Sequence, residues 1–304
     1  HLLHRGVLGF IQDHVGVVER AAAHVGQRRD LDDVALEQLG HLKRLGVNAI
    51  QIMPVKEFAG DLSWGYNPAN VFAVESVYGG PDALKTFVRE CHKAGIAVIL
   101  DVVYNHFGPS DLDLWQFDGA SDNGKGGIYF YQDERSSTPW GDTRPDYGRK
   151  EVRQYIRDNV MLWLTDYHMD GLRFDMTRYI RSVGGNGGDD IAEGWSLLQW
   201  VNEEIRTIDK RRIAIAEDLR TVDALTNPVS IGGAGFNAQW DANFVHPVRE
   251  TVIAPEDSAL TGRVVVRRIS KLSVPLRRKL PLVTSNAPAP LRSGRSRRSA
   301  SSEA

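Results

Sequence analysis

Between residues 31 and 253 the apolar positions switch repeatedly between a helical and a strand period. Leu31, Val34, Leu39, Leu42 and Leu45 recur at helical spacing and predict an amphipathic helix, with Gly46 placed to cap its C-terminus. Residues 47–53 then read as a buried strand stopped by Pro54. A second helix opens with Pro81 at its first position, carries Leu84, Phe87, Val88 and Cys91 on one face and ends at Gly95. The apolar run 96–103 is a strand with Asp101 near its end. A third helix over about 149–167 lines up Val152, Ile156, Val160, Trp163 and Tyr167. Next come a short strand over 171–175, a helix with Trp195, Leu198, Val201, Ile205 and Ile208, and a strand over 213–217.

Near-continuous apolar strands alternating with amphipathic helices imply an α/β fold with a parallel sheet covered on both faces. The connections discriminate further. Those from helix to strand are short, whereas those from strand to helix are long, over roughly 54–80, 104–148 and 176–194. A (β/α)8 TIM barrel builds its site on the loops after the strand C-termini and predicts that asymmetry. A doubly wound nucleotide fold is the competitor, but no G-x-G-x-x-G or G-x-x-x-x-G-K-[ST] follows any strand. The expectation is therefore a (β/α)8 TIM barrel, four of whose strands the apolar pattern shows.

Charge changes the picture at the ends. The 304 residues have a formal net charge of −2, yet residues 261–304 carry eleven Lys and Arg against Glu303, a net +10 that leaves −12 on residues 1–260. All 26 aromatic residues lie at or before Phe244. A segment without aromatics, rich in Arg, Ser and Pro, buries too little apolar surface to offset its ordering entropy. Three regions are expected: an irregular arm over 1–30, a partial barrel over 31–253, and a basic, disordered tail over 254–304. The arm holds four of the nine histidines, and the chain starts with His1, which suggests a fragment. No apolar run reaches the roughly 18 residues of a membrane span, and no secretory signal is legible. The single cysteine, Cys91, has no partner for an intrachain disulfide and reads as core. A cytoplasmic protein with no membrane partner is expected.

Three acidic residues stand where strands stop: Asp101, Asp175 and Glu217. A carboxylate buried there must be hydrogen-bonded, paired or functional, because burying it alone costs several kcal/mol. Arg173 and Asp175 are two apart and share a face of their strand. A guanidinium beside Asp175 would lower its pKa and keep it ionised, as a nucleophile requires, with Glu217 the candidate general acid. Paired carboxyls about 5–5.5 Å apart define a retaining glycosidase. Spacing alone equally allows a structural Arg173–Asp175 ion pair, with Glu217 at a helix N-terminus.

The motifs themselves carry more. Asp101-Val102-Val103-Tyr104-Asn105-His106, Gly171-Leu172-Arg173-Phe174-Asp175 and Ala216-Glu217-Asp218 resemble three of the four motif regions of the α-amylase superfamily, glycoside hydrolase family 13, in the right order. Met53-Pro54, Trp64-Gly65-Tyr66-Asn67-Pro68, Tyr78-Gly79-Gly80 and Thr138-Pro139-Trp140-Gly141 are similar to further family segments. The resemblance implies Asp175 as the nucleophile that forms a glycosyl-enzyme, Glu217 as general acid/base and Arg173 as the group that orients Asp175. It implies His106 and Tyr66 in the subsite of the attacked sugar, with Asp101 supporting them and Trp64 a weaker substrate contact. Asn105 stands where many α-amylases have a calcium ligand, but no ligand set can be assembled around it, so no metal and no cofactor are assigned. Trp140 and Trp195 are either sugar platforms or packing. The run 184–190 has no lysine partner for a phosphate and reads as a mobile active-site loop.

The resemblance also fails in places. The family's third catalytic carboxylate follows a His near the seventh strand, and no His-Asp pair occurs in this chain. The resemblance runs through Gly235-Phe236-Asn237-Ala238-Gln239-Trp240-Asp241 as the sixth strand and fades near Ile253, so it implies an incomplete barrel with strands two to six legible. A truncation or altered reading frame is the expectation, tested by translating the encoding DNA beyond Ile253 in the other two frames; no strand ending in His-Asp in either would end the idea. The functional expectation is a retaining hydrolase or transglycosylase acting on α-1,4-glucans, with branching enzymes and trehalohydrolases the most similar subgroup. The competing reading is an inactive glucan-binding relic. A nucleic-acid arm at the basic tail is disfavoured, because its cations lack interleaved aromatics and the body is acidic.

Overall fold

The computed structural model describes residues 31–60, 63–108, 114–220 and 222–240. The arm over 1–30, the region after 240 and the tail over 254–304 lie outside the described residues. In chain order the elements are α1 (Leu31–Leu45), β1 (Ala49–Ile52), β2 (Lys56–Phe58), β3 (Pro68–Val74), α2 (Gly80–Lys93), β4 (Ala97–Val102), α3 (Lys150–Thr165), β5 (Gly171–Phe174), α4 (Arg178–Arg181), α5 (Ala192–Ile208), β6 (Ile213–Ala216), α6 (Asp223–Thr226) and β7 (Ala238–Gln239). β1, β4, β5, β6 and β7 form one sheet in that order, and every neighbouring pair is parallel. Successive strands step in one direction without a reversal. A doubly wound sheet reverses at its switch point, so this is an arc of a (β/α)8 barrel.

Strand period sorts the two faces. Val98, Leu100, Val102, Leu172, Phe174, Ala214 and Ala216 are buried against the helices, where Leu84, Val88, Val160, Trp163, Leu198 and Val201 join the same core. Ile99, Asp101, Gly171, Arg173, Ile213 and Ile215 share the other face, because Ile99 pairs with Gly171, Asp101 with Arg173, and Arg173 with Ile215. A Cβ at Gly171 would overlap the Ile213 side chain, so glycine sets the close approach of β5 to β6. The charged side chains thus occupy the face away from the helices, toward the strand C-termini.

Two elements depart from the sequence expectation. The long connection after β1 contains the antiparallel pair β2 and β3. At the end of α1, Leu45 is 46% exposed, so the apolar stripe closes at Leu42. The glycine-rich run is not free either. Ser182 Oγ donates to Asp189 Oδ1 at 2.5 Å and accepts from the Gly185 N–H at 3.1 Å, while the Val183 N–H donates to the Asp189 carbonyl at 3.0 Å. The expected mobile loop is tied back on itself by these short polar side chains.

Candidate active site

The guanidinium of Arg173 organises the strand ends. Its Nη1 donates to Asp101 at 2.7 and 2.6 Å and to Asp175 Oδ1 at 3.0 Å. Its Nη2 lies 2.7 Å from Glu217 Oε2. One planar, permanently charged fork therefore meets all three carboxyls. The ring of Trp240 lies 4.3 Å from the guanidinium carbon and supplies a cation–π contact on its face.

The other groups converge on the same carboxyls. Asn105 Nδ2 donates to Asp175 Oδ2 at 2.8 Å and to the Asp175 carbonyl at 3.0 Å. Its Oδ1 faces His106 Nδ1, and His106 Nε2 lies 2.9 Å from the side-chain amide of Asn67. Both ends of the Asn105 amide are thus engaged within the cluster. Tyr66 donates its hydroxyl proton to Asp101 Oδ2 at 2.9 Å. Gly65 delivers Tyr66: its φ is +81° and a Cβ there would run into the Pro54 carbonyl. Glu217 Oε2 also accepts from the Met176 N–H at 2.9 Å, while the Glu217 carbonyl accepts from the N–H and hydroxyl of Thr177 at 3.0 Å. Met176 takes a φ of +40°, an unusual conformation for a side chain of its size and one that aims its N–H at Glu217.

Burial sets the protonation states. Asp175 is 6% exposed, and burial pushes its carboxyl up to about 8 against the pull of Arg173; the carboxyls of Asp101 and Glu217 raise it further, and the Asn105 hydrogen bond lowers it. The expectation that Arg173 leaves Asp175 with a lowered pKa is thus corrected: the cation opposes a desolvation that is larger. Burial likewise raises Asp101 to about 6, with Arg173 and Tyr66 offsetting part of it. The His106 ring is pushed down to about 4 by burial and is neutral at pH 7.

The predicted residues therefore fall into two groups. Asp101, Asn105, His106, Arg173, Asp175, Glu217 and Tyr66 form one hydrogen-bonded cluster. Trp64 does not join it, and its side chain is 67% exposed. Trp140 stacks on His106 with ring centroids 4.9 Å apart and meets Tyr179 edge-on at 5.4 Å, which places it at the rim of the cluster. Trp195 instead donates to the Gly232 carbonyl at 3.2 Å from α5 and packs the periphery. Two cluster neighbours escaped sequence reasoning. Trp240 stood in a recognised segment without a role, and Lys56, completely buried, lies in a strand too short to show a period.

Comparison with known proteins gives the arrangement a family. Residues 25–209 match the family description "Alpha amylase, catalytic domain". The chain is 34% identical over 247 residues to a 1,4-alpha-glucan branching enzyme GlgB of Pseudoalteromonas atlantica, covering 77% of this chain and 33% of that one. It is 37% identical over 215 residues to a malto-oligosyltrehalose trehalohydrolase of Saccharolobus solfataricus, covering 70% of this chain and 34% of that one. The chain thus spans about a third of the length of these curated relatives. Among solved structures, an alpha-amylase candidate from Salmonella typhimurium superposes with a TM-score of 0.59 at 29% identity, covering 79% of this chain and 38% of that one. The family match covers more than half of the chain and includes Asp101, Arg173 and Asp175. This chain belongs to the alpha-amylase family, whose catalytic domain is a (β/α)8 barrel.

Proposed function

We propose that this chain carries the catalytic centre of a retaining enzyme acting on α-1,4-glucans, either a hydrolase or a transglycosylase of branching type. The observation that carries the reading is the single Arg173 fork that meets Asp101, Asp175 and Glu217. Two carboxyls bound to one guanidinium are neighbours, the relation a double displacement needs, with carboxyls about 5–5.5 Å apart. In this reading the ionised form of Asp175, the minor one at pH 7 with its carboxyl raised to about 8, attacks the anomeric carbon while Glu217 gives its proton to the departing glycosidic oxygen. Glu217 then takes a proton from water or from an acceptor sugar hydroxyl, whose oxygen displaces Asp175 from the anomeric carbon. Both Arg173 and the Met176 N–H engage Glu217 Oε2, which leaves Oε1 to carry that proton. Tyr66, His106 and Asn105 hold the attacked sugar and the nucleophile in place. Trp64 is an outlying substrate contact.

Amylose with iodine staining and a reducing-end assay tests the reading. Hydrolysis raises reducing ends, whereas branching shifts the stain without raising them. Either signal should fall at least about 10³-fold in Asp175→Asn and in Glu217→Gln. Glucan affinity with no turnover would instead support a binding relic. A cytoplasmic site of action belongs to the same proposal and is tested by fractionating the cells that make the protein.

A further inference from the structure

We infer that Arg144 is a positioning residue of the site's rim: its buried guanidinium joins the hairpin that carries Trp140 to the loop that follows Tyr179, and so holds the Trp140 ring flat on His106. The inference rests on the proposed role of His106 in holding the attacked sugar. The hairpin is built inside the long loop after β4. The Arg144 N–H donates to the Ser136 carbonyl at 3.1 Å, and further out Thr138 and Gly141 pair across an antiparallel bridge. Trp140 stands at the tip, where its N–H donates to Thr138 Oγ1 at 3.2 Å. A tip this small has few contacts of its own, and the large ring it carries is exposed on one side.

Arg144 grips the base of that hairpin. Its side chain is completely buried. Nη1 donates to the Arg135 carbonyl at 2.6 Å, beside the hairpin's first arm, and Nη2 donates to the Val183 carbonyl at 2.7 Å, in the loop after α4. Nε has no partner among the described residues. Taking a guanidinium out of water is costly, and neutral carbonyls offset that cost less fully than a carboxylate does. What the fork provides is geometry, since its fixed plane reaches two carbonyls on two loops at once, which the single ammonium of a lysine does not.

The far anchor is firm. The Val183 N–H is tied to the Asp189 carbonyl, and Ser182 and Asp190 pair across a further antiparallel bridge. Just before this turn, α4 carries Tyr179, whose buried ring meets Trp140 edge-on. The two loops therefore touch twice, through the rings of Trp140 and Tyr179 and through Arg144 and Val183, and the pair of contacts closes a ring of structure around the hairpin. Its product is the stack on His106, with centroids 4.9 Å apart and planes 12° apart. The main chain adds a second route: the Thr143 carbonyl, next to Arg144, accepts from the N–H of Phe107, next to His106, at 3.0 Å. Without the guanidinium, the tip keeps only the ring contacts to hold Trp140 in place.

The test is the NMR signal of the His106 ring protons, assigned by its loss in His106→Gln. An indole stacked on the ring shifts these protons upfield, and Trp140→Leu gives their unstacked position. In Arg144→Met the signal should move at least half of the way to that position. Arg144→Lys, which can serve one of the two carbonyls, should fall between Arg144→Met and the parent. Arg153 is the control, a guanidinium that also binds main-chain carbonyls, those of Tyr147 and Glu193 at 3.2 and 2.8 Å. Arg153→Met should leave the signal in place. An unmoved signal in folded Arg144→Met, or an equal move in Arg153→Met, overturns the inference. If Arg144→Met does not fold, the parent chain decides. Arg144 Nη protons that resolve singly and exchange slowly with solvent support the brace, and one averaged, fast-exchanging signal refutes it. No substrate is used, so a chain that shows the move but turns over no glucan counts against the functional reading alone. A chain active on amylose whose signal stays in place counts against Arg144 alone.

Discussion

Asp175 shows how far a single environment can move a functional group. Its carboxyl is raised from an ordinary 3.8 to about 8 by burial, so between those values the folded chain holds a proton that the unfolded chain has released. Stability then falls as pH rises through that window, because the native state binds more protons there. Asparagine does not titrate. We expect the melting temperature of Asp175→Asn, relative to the parent, to gain several degrees between pH 5 and pH 8. A difference that stays constant over that range would mean Asp175 is ionised throughout. Sequence spacing pairs Arg173 with Asp175 but is silent on Asp101 and Glu217. Those contacts depend on the register that sets Asp101 beside Arg173, which only the folded sheet supplies.

At the scale of elements, the loops after β5 and β6 act as one unit. Beyond the Thr177 and Met176 contacts to Glu217, the guanidinium of Arg181 in α4 meets Asp218 Oδ2 at 2.9 Å, with Asp218 completely buried. Breaking a buried pair by removing one partner costs roughly 3–5 kcal/mol. Arg181→Met should lose stability on that order in urea unfolding, and the double variant with Asp218→Asn should recover part of it. A full loss in the double variant would show that packing, not charge, joins the loops. Gly65 gives a second test, with Gly95 as its control. Both have φ near +80°, at +81° and +76°, but a Cβ at Gly95 meets nothing within 4 Å. Gly95→Ala should show only the backbone cost of about 1–3 kcal/mol. Gly65→Ala should cost more and lower activity by displacing Tyr66, and equal losses would contradict the close approach to Pro54.

The long helices α1, α2, α3 and α5 and the strands β1, β4, β5 and β6 were legible because each of these strands is a short apolar run and each of these helices carries an apolar stripe. The β2–β3 pair was not, since three residues of β2 are too few to show alternation, and a lysine in a loop reads as solvated. For the same reason the sequence points to Asp101, Asn105 and His106 as a contiguous motif but not to Lys56, which meets Val103 and Tyr104 of that motif only across the fold.

The molecule as a whole joins an acidic barrel arc, with its charged cluster on the face away from the helices, to a basic stretch outside the described residues. The reading of that arc as an enzyme depends on one covalent bond. Incubation with a fluorinated α-glucosyl fluoride, followed by peptide mass spectrometry, tests it: the sugar's attack by a carboxylate leaves a slow-turning ester on the nucleophile. A glycosyl mass on the peptide containing Asp175, absent in Asp175→Asn, is the expected result. Labelling at another carboxylate, or no label while glucan still binds, would contradict the account.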